Sequence, residues 1–137
     1  MNRPVLLTSI AAMVAISVAA PAMAQRACPH EESERDKITR TLSAASSCKV
    51  AYDLMNACRS NTGGDVELAE VVITRCEGVF LAGLNAKSRQ AYQEEREACQ
   101  RKYAKSRGTM YVSFSVTCEA GVAAKYAGAQ ERRSRGR

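Results

Sequence analysis

Six cysteines, at positions 28, 48, 58, 76, 99 and 118, are spread through a chain of 137 residues, and they restrict its fold more than any other feature. An even cysteine count in a short exported chain reads as a disulfide framework, and six cysteines allow fifteen complete pairings. Zinc is the rival reading of such a set. The chain has one histidine, His30, and no Cys-x-x-Cys knuckle, so a structural zinc site lacks its usual ligands. No metal or other cofactor is expected.

Export is written in the first residues. Arg3 precedes an apolar run from Val5 to Ala20, then Pro21 and the small-residue site Ala22-Met23-Ala24. This is the pattern of a Sec-type signal peptide of a bacterial chain, residues 1–24, cleaved between Ala24 and Gln25. The run falls short of the ~20 residues a membrane-spanning helix needs. Arg26 just before Cys28 also disfavours a lipid anchor on that cysteine. The expected product is a periplasmic or secreted protein with no integral membrane segment after cleavage.

The 113 residues that follow (137 − 24) make one small domain with little room for a large core. Of the 20 basic residues only Arg3 lies in the leader, so 19 bases face 14 acids, a mature charge of +5. The last seven residues, ERRSRGR, supply +3 of this through Arg132, Arg133, Arg135 and Arg137 against Glu131. Residues 25–130 therefore form a nearly neutral domain, and 131–137 are expected as a flexible basic tail, a candidate contact for anionic lipid or glycan. That distribution is not the basic face of a nucleic-acid-binding protein.

Tryptophan is absent and the middle of the chain is rich in Ala, Glu, Arg, Lys, Gln and Leu, a helix-favouring composition. Glu31 to Leu42 is short and polar. The SAASS break at 43–47 offers a helix N-cap, after which Cys48, Ala51, Met55 and Cys58 form one apolar stripe. SNTGG, at 60–64, reads as a turn. From Val66 the row Leu68, Val72, Cys76, Phe80 and Leu84 recurs at spacing four, an amphipathic helix, with a bend expected around 85–88. Ala91 or Tyr92, then Cys99 and Tyr103, mark the apolar side of the next helix, and Glu97 and Arg101 are spaced to pair on its wet side. After SRGT, residues 110–116 alternate like a strand. The longer row Met110, Phe114, Cys118, Val122 and Tyr126 favours a helix. The expected fold is all-α, about four helices in hairpins.

In an antiparallel helical hairpin, residues equidistant from the turn lie opposite each other. Cys99 and Cys118 are centred on SRGT, Cys48 and Cys76 on Thr62, and Cys28 and Cys58 on Ser43. Each pair thus straddles a break found without reference to cysteine. The alternative joins Cys48 to Cys58 and Cys28 to Cys76. On one straight helix Cys48 and Cys58 would lie ~15 Å apart, so that scheme requires Cys48 to sit in the loop. Both schemes contain Cys99–Cys118.

Catalytic signals are few. The Glu and Arg cluster from Glu94 to Lys102 has no partnering histidine, nucleophile or metal set and reads as a solvated helical face, so no enzymatic activity is expected.

The succession CKVAYDLMNAC, GDVELAE, an aromatic at Phe80, REAC and RGTMYVSFSVTCEAGVAAKYA resembles the N-terminal domain of the LprI lysozyme-inhibitor family over about residues 48–126. In that resemblance Cys48 and Cys58 match the first cysteine pair and Asp65, Glu67 and Leu68 the helix start. Arg96 and Cys99 match the third-cysteine motif, and Gly108, Thr109, Met110 and Cys118 the last helix. Cys28 and Cys76 are additional, and Tyr92 replaces a tryptophan. The resemblance implies an all-helical, disulfide-bonded envelope domain and, for some members, a protein partner, lysozyme. Animal lysozymes are strongly basic, so an inhibitor of charge +5 would have to offer a local acidic patch, such as Glu31, Glu32 and Glu34 or Glu94, Glu95 and Glu97. The alternative function is a structural or stress-related envelope protein that touches anionic surfaces through its arginine tail.

Overall fold

The computed structural model describes residues 27–136. The expected cleavage site, Ala24 and Gln25, and Arg137 lie outside them. Five α-helices follow in order, α1 (Arg35–Ser43), α2 (Cys48–Cys58), α3 (Asp65–Phe80), α4 (Ala86–Tyr103) and α5 (Thr109–Arg135), with short 3-10 turns at Glu32–Glu34 and Leu81–Gly83. The described residues contain no strand. The fold is an all-α bundle stapled by disulfides. It has one α-helix more than expected because the polar stretch 31–42 buries Ile38 and Leu42, four residues apart, against the rest of the bundle. Arg35 anchors that helix by donating from Nη1 to the Gly64 carbonyl at 2.7 Å.

Local chemistry sets the helix ends. The Ser47 hydroxyl caps α2 by accepting from the Val50 N–H at 3.2 Å, and the Asn85 side chain caps α4 by accepting from Ser88 at 2.9 Å. Between α4 and α5 the chain turns at Gly108, whose φ of 107° is a conformation L residues rarely adopt.

The spacing-four row of α3 forms the centre of the core, with Leu68, Val72, Cys76 and Phe80 all buried, and the α2 stripe Cys48, Ala51, Met55 and Cys58 packs against it. Helix α5 runs beside α3 in the same direction. Ser113 meets Asp65 at one end of the pair, and Tyr126 meets Phe80 at the other. Helix α4 runs back between those ends and packs along α5.

The apolar side of α5 differs from the expected stripe. Its buried residues include Ser113, Thr117, Ala120, Ala123 and Ala127, whereas Met110 is exposed and Phe114, Cys118, Val122 and Tyr126 are only half-buried. Helix α5 contacts α2, α3 and α4, and close approach to three neighbours requires small side chains on the facing stripe. A Cβ built on Gly121 would already stand 3.0 Å from the Tyr52 hydroxyl.

The bridges join Cys28 to Cys58, Cys48 to Cys76 and Cys99 to Cys118, with Cα separations of 4.7, 4.8 and 5.7 Å. This is the turn-centred set. The Cys48–Cys58 pair implied by the family resemblance does not form, because both residues lie on one continuous helix, α2, whose rise holds them ~15 Å apart. The basic end also differs from the expected flexible tail, since residues 131–135 continue α5 without a break and the Gly136 N–H closes the last turn on the Arg132 carbonyl at 3.2 Å.

Candidate functional site

The largest polar assembly joins α3, α4 and α5. Glu119, 5% exposed, accepts from Arg96 Nε at 3.2 Å, from Arg96 Nη2 at 3.0 Å and from Gln100 at 3.2 Å. Arg96 Nη1 also reaches Glu77 at 3.3 Å, and Glu77 accepts the Tyr92 hydroxyl at 2.8 Å. Burial, and then the carboxylate of Glu77, push the Tyr92 hydroxyl well above its ordinary range, so it stays protonated and acts as a donor. Beside this network Phe80, Tyr92 and Tyr126 pack ring against ring with centroids 5.0 to 5.5 Å apart. Glu95 closes the edge by accepting from Lys125 and from the Tyr126 hydroxyl. Lys125 holds the Glu95 carboxyl below its usual value.

Here the Glu94 to Lys102 cluster divides. Arg96 and Gln100 turn inward to a shared carboxylate, Glu95 ties α4 to α5, and Glu97 pairs with Arg101 at 3.3 Å on the wet side. Arg96, Gln100 and Glu95 are thus committed to partners on neighbouring helices, and the assembly cross-braces α3, α4 and α5. A second buried tie lies at the other end of the α3–α5 pair. Asp65 accepts from the Ser113 hydroxyl at 2.5 Å and from the Ser60 N–H at 3.0 Å. All six cysteines are oxidised, and among the described residues no group of three or more His, Cys, Asp or Glu side chains is placed to hold a metal ion.

The two acidic patches fare differently. Glu94 accepts from Gln90 at 2.8 Å, and with Glu95 and Glu97 bonded to Lys125 and Arg101 that patch is largely neutralised. In the other, Glu34 binds Lys37 while Glu31 and Glu32 stay exposed. Arg132, Arg133 and Arg135 are exposed on the last turns of α5. Near them an open cleft of about 630 Å³ is lined by Ser47, Lys49, Gln130, Glu131, Ser134 and Arg135 together with the apolar Val79.

One feature went unread in the sequence. At the α4–α5 turn, Tyr103, Tyr111 and Phe114 pack on one another with centroids 6.0 to 6.4 Å apart, outside the main core. Met110 and Val112, each 44% exposed, flank Tyr111 on the first turn of α5. The available signal was the run from Ala98 to Cys118, which holds Arg101, Lys102, Lys105 and Arg107 and no acid, interleaved with those aromatic and apolar residues. No family model, curated protein or solved structure matches this chain.

Proposed function

We propose that this protein works outside the cytoplasm, in the periplasm or cell envelope, as a non-catalytic binding module that offers a rigid, oxidised surface to a protein partner. One observation carries the reading: three disulfides consume every cysteine while the large ionic network is satisfied internally, which suits a scaffold rather than a reaction centre. Three disulfides suit an oxidising compartment, and the leader-like first residues are in keeping with that reading.

The LprI resemblance makes lysozyme the first partner to test. Of the two acidic patches, the one at Glu94, Glu95 and Glu97 is engaged, while Glu31 and Glu32 of the other are exposed and form no ion pair among the described residues, so they are the pair tested against a basic enzyme. The assay adds purified oxidised protein to lysozyme acting on cell walls. Inhibition that Glu31→Gln with Glu32→Gln weakens supports the reading, and undiminished lysis at large molar excess rejects lysozyme as the partner.

A second reading is favoured by the helical order of residues 131–135, which sets Arg132, Arg133 and Arg135 on a firm support for contact with anionic lipid or glycan. Deleting residues 131–137 should then abolish binding to such surfaces; unchanged binding removes the tail from consideration.

A further inference from the structure

We propose that the tip of the α4–α5 hairpin docks on a bilayer surface rich in anionic lipid, with Met110 and Val112 entering the headgroup region and Lys102, Lys105 and Arg107 meeting the phosphates. This goes beyond the protein-binding reading and stands or falls independently of it.

Charge complementarity is the first support. From residue 98 to residue 118 there are four bases and no acid, and of the four only Arg101 is paired, with Glu97. Among the described residues Lys102, Lys105 and Arg107 form no ion pair, and Lys102 lies over the Tyr103 ring with Nζ 5.2 Å from its centroid. Asp65, the acid from α3 that bonds to α5 near the tip, has its carboxylate buried and committed to Ser113 and Ser60.

The apolar groups supply the second support. Met110 and Val112 are exposed on the first turn of α5, and Tyr103, Tyr111 and Phe114 stand together outside the core. Two part-exposed aliphatic side chains and three half-buried rings are far less than the ~800 Å² each partner contributes to a stable protein interface. A bilayer surface asks for less. It combines shallow apolar insertion with attraction to anionic headgroups, and Tyr, Lys and Arg present an apolar body with a polar end.

The basic end of α5 is the obvious competitor. At 1.5 Å per residue, 27 residues of α5 set it about 40 Å from the tip. It carries Glu131 among its arginines and has Val79 as the exposed apolar neighbour. The two ends can therefore be tested apart.

Co-sedimentation of the oxidised protein with vesicles of phosphatidylcholine alone, and of phosphatidylcholine with an equal part of phosphatidylglycerol, gives the readout. Binding is expected to the anionic vesicles and to fall with added salt. Each base near such a surface is worth roughly fivefold in partitioning, so Lys102→Gln, Lys105→Gln and Arg107→Gln together should weaken binding on the order of a hundredfold. Met110→Ser with Val112→Ser should weaken it on the order of tenfold. All five positions are exposed, and helical circular dichroism and the melting temperature check that folding is kept. The chain has no tryptophan, so Val112→Trp adds a single reporter. Its emission should shift to the blue on anionic vesicles and be quenched by brominated acyl chains, whereas that of Gln130→Trp should not. Absence of binding to anionic vesicles overturns the proposal. So does equal binding to both vesicle types, or binding lost on replacing Arg132, Arg133 and Arg135 with Gln but kept in the tip variants.

Discussion

Removing either partner of the Arg96–Glu119 pair should destabilise the bundle, but by unequal amounts. Glu119 is 5% exposed and takes two of its three bonds from Arg96, at 3.2 and 3.0 Å. Arg96→Met therefore strands a buried carboxylate with Gln100 as its remaining donor, and the cost should reach about 3–5 kcal/mol. Glu119→Leu leaves Arg96 with Glu77 at 3.3 Å and with water, because the Arg96 side chain is 31% exposed, and should cost only about 1–3 kcal/mol. The double variant strands neither charge. It should be less damaging than the sum of the singles by at least about 1 kcal/mol, the size of coupling expected for residues in direct contact.

The assay is urea unfolding of the oxidised proteins followed by far-ultraviolet circular dichroism, with equal m-values checked before midpoints are compared. The reasoning fails if Glu119→Leu costs as much as Arg96→Met, or if the two effects add within about 0.5 kcal/mol.

Three further outcomes are expected. Replacing Cys99 and Cys118 together with serine should lower stability by about 3 kcal/mol through the freed 19-residue span, and non-reducing peptide mapping of the wild type should recover Cys28–Cys58, Cys48–Cys76 and Cys99–Cys118 as separate linkages. Gly108→Ala should cost about 1–3 kcal/mol in thermal unfolding, because φ of 107° is strained for any residue with a Cβ, although open space surrounds the position. Glu95 has a folded-state pKa lowered by Lys125, so its contribution is present above the unfolded carboxylate value and disappears as pH falls through the lower, folded one. Wild type and Glu95→Gln should therefore differ at pH ~7 and converge toward pH ~3, as unfolding midpoints would report.

How far the fold can be read from the residues depends on what each helix packs against. Helix α3 shows one face to the core, so Leu68, Val72, Cys76 and Phe80 announce it at spacing four. The cysteines follow the turns because antiparallel arms place equidistant residues opposite each other. Helix α5 is harder to read, because a helix hemmed in by three others hides its smallest residues. Ser113, Ala120, Ala123 and Ala127 are buried there while Met110 is in water, so ranking by hydrophobicity selects the wrong stripe. The network was illegible for another reason: Arg96 meets Glu77 and Glu119 from 19 and 23 residues away, and no local period records such pairs. Reading Glu94 to Lys102 as one solvated face joined residues that the helix turns to opposite sides.

The same difficulty governs where function is sought. Charge runs such as ERRSRGR, or the glutamates at 94, 95 and 97, attract notice because they are consecutive in the chain. Folding reverses their weight. The glutamates acquire Gln90, Lys125 and Arg101 as partners, while the acid-free stretch around Gly108 keeps its bases free of ion pairs among the described residues and its apolar side chains outside the core. Met110 and Val112, each 44% exposed on the first turn of α5, lie outside the core of the bundle that holds them. The Cys99–Cys118 bridge and the Asp65–Ser113 bond nonetheless fix that turn in place. A rigidly supported tip carrying apolar side chains outside the core is better explained by a surface it meets than by the stability of the domain, and salt-dependent retention on anionic vesicles is where that explanation is decided.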